Sequence, residues 1–132
     1  MSTHCGIAVL TEEGYITIYC HNDGYPEHML PILNNNYNSE ELALELVGYG
    51  DASFISNKIR PTTPNHSFNT PERDVCIYYH RDRKEPWEQV EPTIYSHREK
   101  KRLLNSFYYM YVYESSYWAF YENGEEVYYE NT

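Results

Sequence analysis

Tyr15-Ile16-Thr17-Ile18-Tyr19-Cys20-His21-Asn22-Asp23-Gly24-Tyr25-Pro26 passes from strand through turn into helix in one run, and its reading decides the fold class. Tyr15 to His21 alternates with the period of two that a half-buried strand shows. Ile16, Ile18 and Cys20 share one face, the expected core side; Tyr15, Thr17, Tyr19 and His21 share the other. Asn22-Asp23-Gly24 is turn chemistry, and Pro26 suits the first helical position, where its missing N–H would be unpaired anyway. Upstream, Gly6 to Leu10 is apolar and β-prone and Thr11-Glu12-Glu13-Gly14 reads as a turn, so the two runs form a hairpin. If those four residues are the whole loop, Leu10 opposes Tyr15 and Cys5 opposes Cys20.

Downstream, a short helix through Leu33 is expected, weakened by Pro31 inside it. Asn38 or Ser39 caps the clearest helix, Glu40 to about Val47, with the apolar stripe Leu42, Leu46 and Val47 and the stop signals Gly48 and Gly50. Asp51 to Asp74, with Pro61, Pro64, Asn69 and Pro71, reads as one long ordered or semi-ordered loop, a length often associated with function. Val75 to Tyr79 is the next strand. Pro86 to Val90 reads as a helical turn and Ser96 to Leu104 as a basic amphipathic helix with Arg98, Lys100, Lys101 and Arg102 facing solvent. Phe107 to Tyr113, Tyr117 to Tyr121 and, after Asn123-Gly124, Glu126 to Tyr129 predict a three-strand meander. The expected fold is α+β: a mainly antiparallel sheet of about five or six strands with one or two helices packed on one face, in a single domain spanning 1–132.

Twenty acidic against ten basic residues give a net charge of -10, which disfavours phosphate backbones and anionic lipid and makes nucleic acid a poor partner. Solubility alone accounts for that charge; a basic partner or mimicry of nucleic-acid charge are the functional alternatives. Sixteen tyrosines predict a partly amphipathic core, since each buried ring brings a hydroxyl that needs a partner. Three widely spaced cysteines, Cys5, Cys20 and Cys76, fit a reducing cytosol rather than a disulfide framework. No export signal is read at the N-terminus, and no run approaches the roughly 18 apolar residues of a spanning helix.

Two strand-end clusters carry the chemistry. The first holds His21, Asp23 and Tyr25; the second holds His80, Arg81 and Arg83. Neighbouring strands with like-pointing ends would merge them into one ligand site, with His66 of the long loop as its cover. The structural alternatives are a plain turn at Asp23-Gly24, a surface-facing His21 and an exposed charge run at Arg81-Asp82-Arg83. Cys-x-x-Cys, His-Glu-x-x-His, phosphate loops and nucleophile elbows are missing, so neither a metal nor a cofactor is expected and no catalytic residue is assigned. Cys20 and His21 point to opposite faces, which removes that thiol–imidazole pair. The C-terminal strands carry rings on both faces, more than one buried face requires. Tyr109, Tyr111, Tyr117 and Trp118 are the candidate protein-contact residues, with burial under the chain's own helices as the alternative.

The runs Ile18 to Pro26, Asn36-Tyr37, His66-Ser67-Phe68 and Val75 to Arg83 resemble a family of small uncharacterised phage and prophage proteins marked by Tyr-Cys-His-x-Asp-Gly-Tyr-Pro, over roughly the first two thirds of the chain. Members usually carry tryptophan where this chain has Asn22. The resemblance implies a protein of the bacterial host cytoplasm, acting in host takeover or counter-defence by binding. The leading expectation is an inhibitor of a bacterial host or defence protein. One alternative is a sequestering protein for a small nucleotide signal, with Arg81 and Arg83 on phosphate and tyrosines on the base. Another is a small hydrolase or transferase with His21 or His80 as base and Asp23 as its orienter. Self-association is left open.

Overall fold

The N-terminal hairpin has the register its loop predicts: β1 (Cys5–Thr11) and β2 (Gly14–Cys20) pair antiparallel, with Leu10 opposite Tyr15 and Cys5 opposite Cys20. A computed structural model describes residues 2–128 around this hairpin. Pro26 opens α1 (Pro26–Asn36), and Pro31 is accommodated inside it, one intrahelical bond being given up while Met29, Leu30 and Leu33 are buried. Ser39 caps α2 (Glu40–Gly48), its hydroxyl accepting the Leu42 N–H at 3.2 Å. Gly50, with a φ of 86°, turns the chain back beyond that helix.

The segment expected to be one long loop begins with a strand, β3 (Ala52–Phe54), which lies parallel to β2. Three residues are too few for alternation to show in sequence. The rest of the loop is tied down at its ends: Lys58 donates to Asp74 O at 3.0 Å and Cys76 to Lys58 O at 2.8 Å, while Glu72 accepts both the Thr62 and Thr63 N–H groups. The Val75 strand shortens to β4 (Ile77–Tyr78), antiparallel to β3, and the charged run coils into α3 (Tyr79–Arg83). Beyond α4 (Trp87–Val90), β5 (Thr93–Tyr95) pairs with the first half of β2. A 3-10 turn with a Ser96/Glu99 capping box leads into α5 (Lys100–Leu104). The expected meander is present as β6 (Tyr109–Glu114), β7 (Tyr117–Glu122) and β8 (Glu125–Glu126), with Asn123 and Gly124 both left-handed at the second turn. The Tyr129 end expected for the last strand lies outside the described residues.

The mainly antiparallel sheet of five or six strands is therefore corrected. Among the described residues, eight strands form one mixed sheet in the order β4-β3-β2-β1-β6-β7-β8, with β5 also on β2; β1 runs parallel to β6 and β2 to β3, and five short helices accompany them. Side-chain alternation marks which face a residue takes but is silent about the direction of a partner far away in the chain.

Both faces of the sheet are covered in part. α1 and α2 bury Met29, Leu33, Leu46 and Val47 against Ile7, Val9, Ile18, Tyr111 and Phe120, the face read as core. The other face is also packed: Leu103 of α5 meets Ala8, Tyr15, Met110, Val112 and Tyr121. Buried aromatics find partners as expected, with Tyr37 Oη on Ser56 O, Tyr78 Oη on Leu46 O and Tyr111 Oη on Gly24 O, each at 2.7 Å. Towards the His4 end of β1 and β2 this second face is more open, with His4 exposed and Tyr19 and His21 half-buried.

Candidate functional site

One step beyond Cys5 and Cys20, the hairpin register sets His4 opposite His21 on this open face. Their rings stack with centroids 4.5 Å apart and planes inclined by 28°. Tyr19, two residues before His21 and so on the same face, places its hydroxyl 2.6 Å from His21 Nδ1 and 3.1 Å from His4 Nδ1, and His4 Nδ1 also lies 2.7 Å from His21 O. Burial first, and then the neighbouring Tyr79 phenol, push the Tyr19 phenol above its ordinary value, so it remains a hydroxyl donor at neutral pH. Below Tyr19, Phe107 stacks at 6.4 Å, in space that exists because position 6 is glycine: a Cβ on Gly6 would fall 2.4 Å from Phe107 Cδ2.

His4, Tyr19 and Phe107 line a surface groove of about 490 Å³, which Ser2, Thr3, Ser106, Tyr108 and Tyr109 complete; His21 adjoins it through its stacking on His4. The lining is mainly aromatic, with a few polar atoms and no lysine or arginine. Asp51, just before β3, supports the cluster: its carboxylate accepts the Tyr19 N–H at 2.9 Å in the gap where β5 has ended and β3 begins. Burial raises the Asp51 pKa against the lowering effect of that bond.

The residues expected to form one composite site are dispersed. β3 separates β2 from β4, and β4 runs antiparallel to β2, so the two strand ends point in opposite directions. His21 stacks on His4 beside the groove without lining it. Asp23 is left-handed, with a φ of 58°, in the turn that lets Gly24 N–H bond Thr3 O at 2.8 Å, which is the plain-turn alternative. Tyr25 is exposed at the start of α1 beside His28. His80 turns back to Glu85 O at 2.8 Å and packs on Trp87. Arg83 pairs with Glu85 and lies over Phe68.

Arg81 and His66 do come together, but as a pin for the long loop. Arg81 donates to Ile59 O at 2.6 Å, to Cys76 O at 2.9 Å and to both oxygens of Asp82. His66 Nδ1 accepts the Glu72 N–H at 2.9 Å, which puts the ring proton on Nε2, 3.3 Å from Asp82 Oδ2. Burial pushes the Asp82 carboxyl up, but its bonds to Arg81 and the Tyr78 N–H, the Arg81 charge and His66 outweigh this and hold it below its ordinary value.

Of the candidate contact residues, Tyr111 and Trp118 are core, Trp118 Nε1 donating to Tyr37 O at 2.8 Å. Tyr109 is half-buried in the groove lining. Tyr117 is exposed, its hydroxyl 3.4 Å from Glu126. Cys5 and Cys20 are buried and unlinked on the α1/α2 face, and burial pushes the Cys5 thiol well up, away from nucleophilic use. Among the described residues no three His, Cys, Asp or Glu side chains converge as for a metal ion, and no helix is long and apolar enough to cross a membrane.

His4 and Phe107 are the site residues that sequence reading passed over. For His4 the signal was at hand: the same register that sets Cys5 against Cys20 sets His4 against His21. Phe107 carried none, since its place depends on β1 and β6 pairing. No family model, curated protein or solved structure matches the chain.

Proposed function

We propose that this chain is a non-enzymatic binding protein, of the accessory kind its phage-like motif implies, which sequesters a small planar ligand in the groove at His4, Tyr19 and Phe107. One observation carries the reading: His4, Tyr19, Phe107, Tyr108 and Tyr109 line an aromatic groove of about 490 Å³, the size and lining of a small-molecule site, with His21 stacked on His4 beside it. Hydrolase or transferase chemistry finds less support, since Tyr19 rather than Asp23 orients His21. Phosphate recognition through Arg81 finds little either, because that guanidinium is spent on the loop pin.

Native mass spectrometry after incubation with bacterial lysate tests the proposal. An added mass of small-molecule size, kept by Tyr117→Ala and lost by Phe107→Ala, supports it; an unchanged mass for the parent protein speaks against it.

A second reading, inhibition of a bacterial host or defence protein, rests on the C-terminal strands. There the exposed phenols of Tyr108 and Tyr117 lie against Glu122 and Glu126, an acidic aromatic rim suited to a basic protein surface. It predicts a protein-sized addition that Tyr117→Ala abolishes.

A further inference from the structure

Four of the eight residues that line the groove, Tyr19, Phe107, Tyr108 and Tyr109, carry phenol or phenyl rings, and none of the eight is lysine or arginine. The face of such a ring is the negative end of its quadrupole, so rings gathered at one surface attract a cation and offer an anion nothing.

The charge beside the groove has the same preference. Tyr108 donates its hydroxyl to Glu122 at 3.1 Å, and Glu122 is also the cross-strand partner of Tyr109, so one carboxylate adjoins two of the four ring-bearing residues. That hydrogen bond, and then the carboxylate's charge, hold the Tyr108 phenol above its ordinary value. A field that resists a second negative charge at this wall favours a positive one. Arg102, the basic residue nearest in sequence to Ser106, is engaged elsewhere: its guanidinium lies over the Tyr95 ring and pairs with Glu99 at 3.2 Å. The net charge of -10 adds a long-range attraction of the same sign. No carboxylate lines the groove itself to take the N–H bonds of an ammonium group, whereas a quaternary nitrogen has none to satisfy.

Resting on the groove as the ligand site, we infer that its ligand is a planar organic cation, a heteroaromatic ring with a fixed positive charge on a quaternary nitrogen, as in an N-alkylpyridinium. The aromatic lining takes the flat ring and its charge together, and Glu122 supplies attraction from beside the groove. A neutral ring of the same shape binds more weakly, and an anionic one more weakly still.

Three ligands that share one ring test this: the ring-N-methylated cation of nicotinamide, neutral nicotinamide and anionic nicotinate. Each is titrated into the isotopically labelled protein at about pH 7.5, above the ordinary imidazole range, and followed by NMR. The cation should bind more tightly than nicotinamide by about two- to fivefold for each ring face that it covers, and nicotinate should bind most weakly. Added salt and Glu122→Gln, which keeps an acceptor for Tyr108 but removes the charge, should both narrow the preference. Tyr108→Leu, at an exposed position where the fold is not at stake, keeps apolar bulk without the ring and should weaken the cation more than nicotinamide.

Nicotinamide or nicotinate binding as tightly as the cation, with all binding lost in Phe107→Ala, overturns the choice of a cation and leaves the groove as a site for planar rings. A preference for the cation that neither Glu122→Gln nor Tyr108→Leu reduces overturns the assignment of that preference to this wall. Shifts from none of the three, or shifts that Phe107→Ala does not affect, overturn this inference, and failure of the lysate to supply any ligand then removes the groove reading as well.

Discussion

His4 and His21 face each other across the first two strands with their rings 4.5 Å apart, although 17 residues separate them in the chain. The hairpin makes them neighbours; His4 Nδ1 donates to His21 O, so the Tyr19 hydroxyl donates to His21 Nδ1 and leaves the ring proton of His21 on Nε2.

Removing that phenol should alter the site more than the fold. Tyr19→Phe keeps the ring over Phe107 and loses one hydroxyl, at a cost of about 1 kcal/mol of stability. In the parent protein, ¹⁵N NMR of the imidazoles should show His21 protonated at Nε2; in Tyr19→Phe it should show a mixture of tautomers. An unchanged His21 spectrum would mean the phenol does not set the tautomer.

Gly6 makes room for the groove floor. Alanine there would meet Phe107 and Met110 Sδ at 2.4 and 2.6 Å, so Gly6→Ala should destabilise the chain by roughly 1 to 3 kcal/mol in urea unfolding. Part of that loss should return in Gly6→Ala/Phe107→Ala, because the second change removes the clashing ring. Strict additivity of the two would place the strain elsewhere.

Arg81→Ala should act on stability. It removes the donors to Ile59 O and Cys76 O and leaves the Asp82 carboxylate buried without its cation, a loss of roughly 3 to 5 kcal/mol. Hydrogen exchange should quicken at the Phe68 amide, which is bonded to Asp82 O. Ligand loss with unchanged stability would instead make Arg81 a ligand residue.

Alkaline pH should unfold the chain. Burial, reinforced by the Glu114 carboxylate, pushes the Tyr121 phenol up to about 12, and burial raises Tyr37, Tyr78 and Tyr111 as well. The unfolded chain releases these protons near pH 10 and the folded chain holds them, so the stability they contribute is complete below about pH 10 and is lost as pH rises toward the folded values. Urea midpoints measured against pH should fall through this window, with phenolate absorbance rising cooperatively at unfolding. Midpoints that stay level to pH 12 would show that these phenols titrate without unfolding.

Adjacent aromatic residues should respond in opposite ways. Trp118→Ala opens the core and breaks the bond to Tyr37 O, costing about 3 to 5 kcal/mol. Tyr117→Ala, at an exposed position, should move stability by about 0.5 kcal/mol or less. Equal losses in denaturant would contradict that division of roles.

Much of the local structure was legible. The Cys5/Cys20 register, the Ser39-capped helix, the left-handed Asn123-Gly124 turn and the inward face of Ile18 and Cys20 all follow from short-range geometry. β3 and β5 were missed because three-residue strands show too little alternation, and α3 because its charges masked a single helical turn.

What the sequence by itself determined is what neighbours in the chain decide: turns, caps and the alternation that assigns a side chain to a face, each set by hydrogen bonds and sterics a few residues apart. Tertiary structure alone decided that β6 lies parallel to β1, that β3 comes between the two clusters expected to meet, and that Phe107 lies beneath Tyr19. Those arrangements depend on how strands distant in sequence share the burial of both faces of one sheet, a packing free energy that no local pattern of residues encodes.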